Sequence, residues 1–165
     1  MSSSLPNNKL FETGILKVRN ACVVLVRTEW NAPIVDELEK GCLEELYRLG
    51  VKKIISLNVP GAVEIPFAVK HYWENAGKKK KPDAFIALGC VIKGDTPHFE
   101  YVCNSVTQGV LQLNLTLPVP TIFGVLTVNN ESQAKERIGG KHGHKGTEAA
   151  ITALKMISFQ KTLNR

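Results

Sequence analysis

Four short apolar runs alternate along this chain with segments whose apolar residues recur at helical spacing. The runs are residues 21–26, 54–59, 84–92 and 121–127, and strand-forming side chains dominate them. Strands that alternate with helices form a parallel sheet with helices on both faces. The sequence therefore predicts an α/β fold, a three-layer α/β/α sandwich around a four-stranded parallel sheet.

The predicted helices carry recognisable end signals. In the first, Asn31 is suited to the N-cap, Pro33 to the first turn and Gly50 to the position after the last turn. The chain is predicted to finish with two helices, residues 131–138 and 147–163, joined by a glycine-rich connection of residues 139–146.

Length and composition limit the classes of protein that fit. With 165 residues, 44 % of them hydrophobic and 22 % charged, we expect a single domain over residues 15–165 after a flexible tail, residues 1–14. No apolar run approaches the ~20 residues of a membrane span, and the first residues lack the apolar core of a secretory signal. We expect a cytoplasmic protein that does not contact a membrane.

The net charge of +6 raises the question of nucleic-acid binding. The basic run of residues 78–81 has no aromatic side chains interleaved with it, so a solvated loop is the favoured interpretation. The four cysteines are far apart within apolar segments, which favours buried thiols. His142 and His144 lack the spacing and the acidic or thiolate partners of a metal site. We expect neither nucleic acid nor metal as a ligand.

The end of the third strand is the most informative segment for function. The apolar run stops before Gly94, and Thr96-Pro97 opens the next helix. Unpaired N–H groups and the helix dipole favour an anion there, and Gly94 lets a ligand approach the main chain. His98, in the first helical turn, is suited to proton transfer near neutral pH. This segment predicts chemistry on a phosphorylated small molecule.

Two further loops leave their strands at the same edge of the predicted sheet. Trp30-Asn31 follows the first strand, and residues 61–64 follow the second. Open parallel sheets bind ligands beyond the carboxyl ends of their strands. An aromatic face, a carboxylate and the anion site are therefore predicted to share one rim.

These rim sequences resemble the lumazine synthase family. The resemblance covers residues 17–159 and rests on Trp30-Asn31, residues 59–66, residues 89–101, residues 123–127, Glu136-Arg137 and Lys145-Gly146. It implies a flavodoxin-like sheet and a transferase of riboflavin biosynthesis. The implied reaction condenses 5-amino-6-(D-ribitylamino)uracil with 3,4-dihydroxy-2-butanone 4-phosphate to 6,7-dimethyl-8-ribityllumazine, phosphate and water, without a metal or organic cofactor.

The same resemblance implies roles for particular residues. His98 would transfer protons as the catalytic residue, and the phosphate would be bound by Gly94, Asp95, Thr96 and Arg137. The pyrimidine and ribityl groups would be bound by Trp30, Asn31, Ala62, Val63, Glu64, Cys90, Val91, Ile92, Phe123 and Lys145. Without the resemblance, Glu64 fits equally well as a first-turn helix acid and Arg137 as a solvated helix charge.

The resemblance also implies a homopentamer with active sites between subunits, to which Phe123, Arg137 and Lys145 would come from the adjacent chain. Some family members assemble twelve pentamers into an icosahedral shell of 60 subunits. Residues 139–146 carry no insertion, which permits such a shell, and riboflavin synthase is a further implied partner. The chain departs from the commonest family pattern at Trp30, Val63, Lys93 and His144.

Two other classes of function stay open at this point. A flavodoxin-like module could bind a flavin or lumazine without converting it, because the same stacking and phosphate features would serve. A structural shell protein with vestigial catalytic residues is the other alternative. A proton-transferring His98 favours the enzyme over both.

Overall fold

The two central strands of the sheet are buried on both faces, and they determine the architecture. The computed structural model describes residue 18 and residues 20–163. Its main sheet has the order β2-β1-β3-β4, with all strands parallel. The strands are β1 (Cys22–Thr28), β2 (Lys53–Val59), β3 (Ala84–Ile92) and β4 (Thr121–Val128).

Helices follow each strand of this sheet. They are α1 (Ala32–Arg48), α2 (Ile65–Asn75), α3 (His98–Thr116), α4 (Glu131–Lys135) and α5 (Lys145–Leu163). Short 3₁₀ turns cover Ala62–Glu64 and Lys78–Lys80, and a small antiparallel hairpin pairs β5 (Ile138–Gly140) with β6 (Gly143–His144).

Side chains of the central strands alternate between two cores. Val23 and Leu25 of β1 pack in a cluster that includes residues of α1 and α5. Val24 and Val26 of the same strand pack in a second cluster, with residues of α2 and α3. This period of two places a pair of helices on each face. The predicted three-layer α/β/α sandwich with a four-stranded parallel sheet is confirmed.

A third, smaller cluster lies under the carboxyl ends of the strands. Cys90 of β3 and Leu126 of β4 pack there with Val35 and Leu38 of α1 and with Ala134 of α4. These contacts hold the start of α1 and the short α4 against the edge where the strand-to-helix loops emerge. The loops that the sequence assigns to function therefore stand on a packed base.

The prediction of a helix over residues 131–138 is wrong in its second half. The helix α4 ends at Lys135, and Ile138 instead pairs with His144 across the β5–β6 hairpin. Gly139 adopts φ 107° and Gly143 φ 75°, a left-handed region that glycine enters without steric cost. Arg137 therefore lies between a helix and a hairpin rather than on a helix surface.

The lysine run forms a short surface turn. Residues 78–80 are exposed, and the Lys53 ammonium donates a hydrogen bond to the Lys79 carbonyl at 2.5 Å. Lys81 folds back so that its Nζ lies 4.2 Å from the centre of the Trp73 ring, a cation–π contact.

Both ends of the predicted domain, residues 15–165, lie outside the described residues. The proposed tail of residues 1–14 falls outside them, so that boundary stays a prediction. Among residues 18 and 20–163, no helix combines the length and the apolar character that a membrane crossing would need.

Gly124 of β4 leaves no room for a side chain, and this gives a test of the sheet packing. A Cβ atom at this position would lie 2.7 Å from the Ala87 carbonyl oxygen and 2.8 Å from Leu88 Cδ2. We expect Gly124→Ala to lower the free energy of unfolding by about 1–3 kcal/mol, because strands or helices must shift. Urea unfolding at a fixed protein concentration measures the loss.

Gly77→Ala is the matched control for this substitution. A Cβ atom at Gly77 would meet no atom within 4 Å, so we expect no loss of stability there. Equal unfolding midpoints for the two variants would show that the contact at Gly124 is not tight.

Candidate active site

A cleft of about 450 Å³ opens at the carboxyl ends of β1, β2 and β3. We call it the rim cleft. Nine of the residues predicted for the site line it: Trp30, Asn31, Ala62, Val63, Glu64, Cys90, Val91, Ile92 and His98. Three separate strand-to-helix connections bring these residues together, as the position of the strand ends predicts.

Asn31 connects two of these strands through its side chain. Its Nδ2 donates a hydrogen bond to the Cys90 carbonyl oxygen at 2.8 Å, and its backbone is left-handed, with φ 58°. Asn31 does occupy the N-cap position of α1, but its side chain makes no capping hydrogen bond. The predicted side-chain cap is wrong because the amide is committed to β3 instead.

The Trp30 ring stands open at the mouth of the rim cleft. It is 73 % exposed, and its backbone N–H donates to the Pro60 carbonyl at 3.1 Å. Glu29 makes the equivalent bond to Val59 at 2.9 Å. The ladder between β1 and β2 therefore continues into the loop and holds an indole whose face is available for stacking.

Glu64 and Trp30 approach each other across Gly61. A Cβ atom at Gly61 would lie 3.0 Å from Glu64 Oε2 and 3.6 Å from Trp30 Cδ1. The 3₁₀ turn of Ala62–Glu64 thus places a carboxylate beside the aromatic ring. This arrangement can accept hydrogen bonds from hydroxyl groups of a ligand that stacks on Trp30.

The connection from β3 to α3 is an exposed loop of residues 93–97, and His98 is the first residue of α3. Gly94 is open on its outer side, since a Cβ atom there would meet nothing within 4 Å. Around this helix start, no side chain among the described residues caps α3. The Glu100 N–H donates to the Pro97 carbonyl at 2.9 Å, which leaves the N–H groups of His98 and Phe99 to a ligand or to water.

Cys90 lies in the floor of the rim cleft but is not a nucleophile. Burial raises the pKa of its thiol to about 11, so the thiolate is scarce at neutral pH. Cys22, Cys42 and Cys90 are buried, as predicted, whereas Cys103 is half-buried.

Gly94, Asp95 and Thr96 lie in the loop before α3 and line neither pocket, whereas the last three predicted residues gather at the outer edge of β4. Phe123, Arg137 and Lys145 line a pocket of about 270 Å³ together with His142 and Glu148. We call this the edge pocket. None of its lining residues belongs to the rim cleft.

Hydrogen bonds position the two cations of the edge pocket. The Lys145 ammonium donates to both carboxylate oxygens of Glu148 at 2.8 Å, and Glu148 is buried. Arg137 donates from Nη1 to the Gln133 carbonyl at 2.8 Å. Its guanidinium has no other hydrogen-bond partner within residues 18 and 20–163, so its remaining N–H groups can face an anion. The Lys145 backbone N–H donates to the Arg137 carbonyl at 2.8 Å.

Sequence reasoning missed several residues of both pockets. Thr28, Gly61 and Val102 also line the rim cleft, and His142 and Glu148 line the edge pocket. Glu148 had a usable signal, because it lies three residues after Lys145 at a spacing that allows an ion pair on a helix. The others lack distinctive chemistry or an informative spacing.

Metal-binding geometry is not found in the described part of the chain. There, no group of three or more His, Cys, Asp or Glu side chains is arranged to hold a metal ion. His142 instead faces Glu136, with Nε2 3.5 Å from the carboxylate Oε2.

Together, the sheet topology and the rim cleft define an α/β protein that binds small molecules at the carboxyl edge of a parallel sheet. The sequence model of the 6,7-dimethyl-8-ribityllumazine synthase family matches residues 20–161. The chain belongs to this family, which makes it an enzyme of riboflavin biosynthesis that acts on small-molecule substrates. The predicted family and reaction are confirmed.

Relatives with that name agree with the match. The 6,7-dimethyl-8-ribityllumazine synthase of Bacteroides fragilis is 49 % identical over 143 residues, which cover 86 % of this chain and 97 % of the relative. The relative from Porphyromonas gingivalis is 50 % identical over 135 residues, 81 % of each chain. The relative from Cytophaga hutchinsonii is 44 % identical over 160 residues, 96 % of this chain and 98 % of the relative.

The two roles of Asn31 can be separated by substitution. Asn31→Gly removes the bond to Cys90 but accepts the left-handed backbone, whereas Asn31→Ala removes the bond and also resists φ 58°. We expect Asn31→Ala to lose about 1–2 kcal/mol more stability than Asn31→Gly. Urea unfolding of both variants measures the difference, and equal losses would argue against a backbone role.

Proposed function

We propose that the rim cleft of one chain and the edge pocket of another together form the site for the lumazine synthase condensation. The rim cleft holds the pyrimidine, the loop of residues 94–96 binds the phosphate of the butanone, and the edge pocket closes the site. The observation that supports this most is the position of His98, which lines the cleft at the start of α3, directly after that loop.

The phosphate subsite combines main-chain donors with one side-chain cation. Gly94, Asp95 and Thr96 offer backbone N–H groups and a hydroxyl at the positive end of the α3 dipole. The Asp95 side chain is exposed, so it has room to point away from a phosphate. Arg137 would add a planar, charge-assisted pair of hydrogen bonds.

The pyrimidine subsite combines stacking with main-chain polarity. Trp30 offers its indole face for stacking on the pyrimidine. The edge of the pyrimidine would contact other residues that line the cleft: Asn31, Val63 and residues 90–92. Ala62 and Glu64 are placed to receive the ribityl hydroxyls. Phe123 and Lys145, from the edge pocket, would cover the opposite side of the ring.

His98 supplies proton transfer to each step of the reaction. The ring amine adds to the ketone and loses water to give an imine, and the phosphate then leaves. The ribitylamino nitrogen adds to the remaining carbonyl, and loss of a second water closes the ring. Each of these steps adds or removes a proton, which an imidazole at neutral pH can deliver. Holding the two reactants side by side supplies the rest of the acceleration.

The division of the site between two pockets favours an oligomer, and we propose a pentamer in the cytoplasm. Among the described strands, β4 pairs with β3 alone, so the edge pocket lies beside an open strand edge. Residues 101–116 of α3 contain no charged side chain, and Tyr101, Leu111 and Leu115 are exposed on one side of the helix. Copies of the same chain would cover both surfaces.

The short connection of residues 139–146 fits a free pentamer or a shell of twelve pentamers.

Arg137 gives the first test of this assignment. In an assay that follows lumazine absorbance with both substrates, we expect Arg137→Ala to raise the KM for the butanone phosphate about 10- to 100-fold. The KM for the pyrimidine should change much less, because Arg137 is assigned to the phosphate alone.

Lys135→Ala is the matched control for Arg137→Ala, since it removes an exposed cation two residues away that pairs with Glu131. Neither KM should change in this variant. If Arg137→Ala changes both constants equally, the phosphate assignment is wrong. If the wild type forms no lumazine and instead binds a flavin tightly, the non-catalytic module is the better description.

Mixed assembly tests whether the site is shared. His98→Ala alone should slow turnover about 100-fold or more while the exposed position leaves the fold intact. When His98→Ala and Arg137→Ala chains are co-expressed, random assembly in a ring gives about a quarter of the sites both intact side chains. Measured with butanone phosphate far below the KM of Arg137→Ala, so that both separate variants are nearly inactive, the mixture should recover about that fraction of the wild-type activity.

The control for this experiment mixes His98→Ala with the double variant His98→Ala/Arg137→Ala. No site in that mixture contains His98, so its activity should stay at the level of the single variant. If the first mixture also stays at the level of its separate components, each site lies within one chain.

A further inference from the structure

His144 occupies the position immediately before α5, and its ring acts as the cap of that helix. The Thr147 backbone N–H donates to His144 Nδ1 at 3.4 Å. Thr147 is the third residue of α5, the place from which a Ser, Asp or Asn cap accepts its hydrogen bond. A ring nitrogen therefore takes the role that a side-chain oxygen has in most helix caps.

Two glycines make room for this ring between α1 and α5. A Cβ atom at Gly41 would lie 2.1 Å from His144 Cε1, and one at Gly146 would lie 2.0 Å from the Leu38 carbonyl oxygen. The Thr147 hydroxyl also donates to the Gly41 carbonyl at 3.4 Å. The ring is consequently inserted where the two helices come closest, and it cannot move without separating them.

The main chain of His144 connects this anchor to the edge pocket. His144 pairs with Ile138 in the β5–β6 hairpin, and the next residue, Lys145, donates its N–H to the Arg137 carbonyl. Arg137 directly precedes this hairpin and Lys145 directly follows it. The His144 ring packs against Gly41 and so fixes the hairpin to α1. Displacement of the ring would displace both cations.

The cap works only while Nδ1 carries no proton. A protonated ring would turn a donor toward the Thr147 N–H and place a positive charge at the positive end of the α5 dipole. Burial lowers the pKa of His144, and the carboxylates of Glu37 and Glu44 on α1 oppose that change. On α5, Lys145 and Glu148 face the same region and pair with each other.

We propose that His144 is a positioning residue for substrate binding: its neutral ring caps α5 and anchors the hairpin that carries Arg137 and Lys145. The inference rests on the proposed function of those two cations. It adds that acidification releases the cap and weakens substrate binding from the edge pocket, separately from any effect of protons on His98 or on the substrate.

The test compares the wild type with His144→Asn and His144→Ala. Asparagine keeps a capping oxygen but does not titrate, whereas alanine removes the cap. At about pH 7.5 we expect His144→Ala to raise the KM values about threefold to tenfold, and His144→Asn to stay near the wild type. As the pH falls from about 7.5 through about 5.5 to about 4.5, the wild type should progressively lose affinity relative to His144→Asn, because the lowered pKa of His144 delays protonation of the folded ring.

The ratio of the wild type to His144→Asn isolates this residue, because both proteins share His98 and the same substrates. His71→Asn is the control for loss of an imidazole, since His71 is exposed on α2 and stacks on Phe67. It should follow the wild-type pH profile. If the ratio of wild type to His144→Asn does not change with pH, the inference is overturned.

Unfolding provides a readout that needs no activity. Because the pKa of His144 is lowered in the folded state, its contribution to stability is complete above the unfolded value of about 6.5. That contribution is lost as the pH falls from there toward the folded value. The urea midpoint of the wild type should therefore fall more than that of His144→Asn between about pH 7.5 and about pH 5.5.

The two readouts separate failure of the inference from failure of the proposed function. A wild type that forms no lumazine would overturn the proposed function and the link to substrate binding, while a pH-dependent difference in unfolding would still support the cap. Parallel unfolding curves for wild type and His144→Asn at both pH values would overturn the cap itself. If His144→Ala does not fold, the comparison with His144→Asn decides alone.

Discussion

The burial of β1 and β3 on both faces is the constraint from which the rest of the structure follows. Residues 23–26 and 84–88 have no solvent-exposed area, so helices must cover the sheet on each side. Parallel strands that alternate with such helices bring all their carboxyl ends to one edge. The rim cleft exists at that edge because Trp30, Glu64 and His98 each follow a strand at its carboxyl end.

The fourth strand explains why the chemistry is divided between two places. Among the described strands β4 pairs only with β3, and two residues with cationic side chains, Arg137 and Lys145, lie at its other edge. One chain therefore presents an aromatic ring and an imidazole in one pocket, and its strong cations in another. Under the proposed assembly, the pockets of two chains meet, whereas an isolated chain carries both sets of groups in separate pockets and does not bring them together in one site.

Close approach of main chains connects the fold to the site. Gly41 and Gly146 allow α1 and α5 to meet around the His144 ring, and Gly124 allows β4 to approach Ala87 and Leu88 of β3 closely. A helix that stands this close to the sheet transmits any displacement to the hairpin beyond it, because interiors at native density cannot absorb a shift locally. The edge pocket is thus positioned by contacts outside its lining as well as by the Glu148–Lys145 pair and the bond from Arg137 to the Gln133 carbonyl.

The sequence by itself determined the order of strands and helices, the parallel sheet and the residues of the rim, because period-two and helical spacing, glycines and prolines act locally. It did not determine that residue 137 lies beyond a helix, since the hairpin of residues 138–144 depends on a pairing that local propensity does not encode. It identified Asn31 as the N-cap residue of α1, but it did not determine that the side-chain amide bonds to Cys90, 59 residues away, instead of capping the helix. Only the tertiary structure decided such long-range partners and the separation of the two pockets, because they depend on which surfaces meet after the strands have paired.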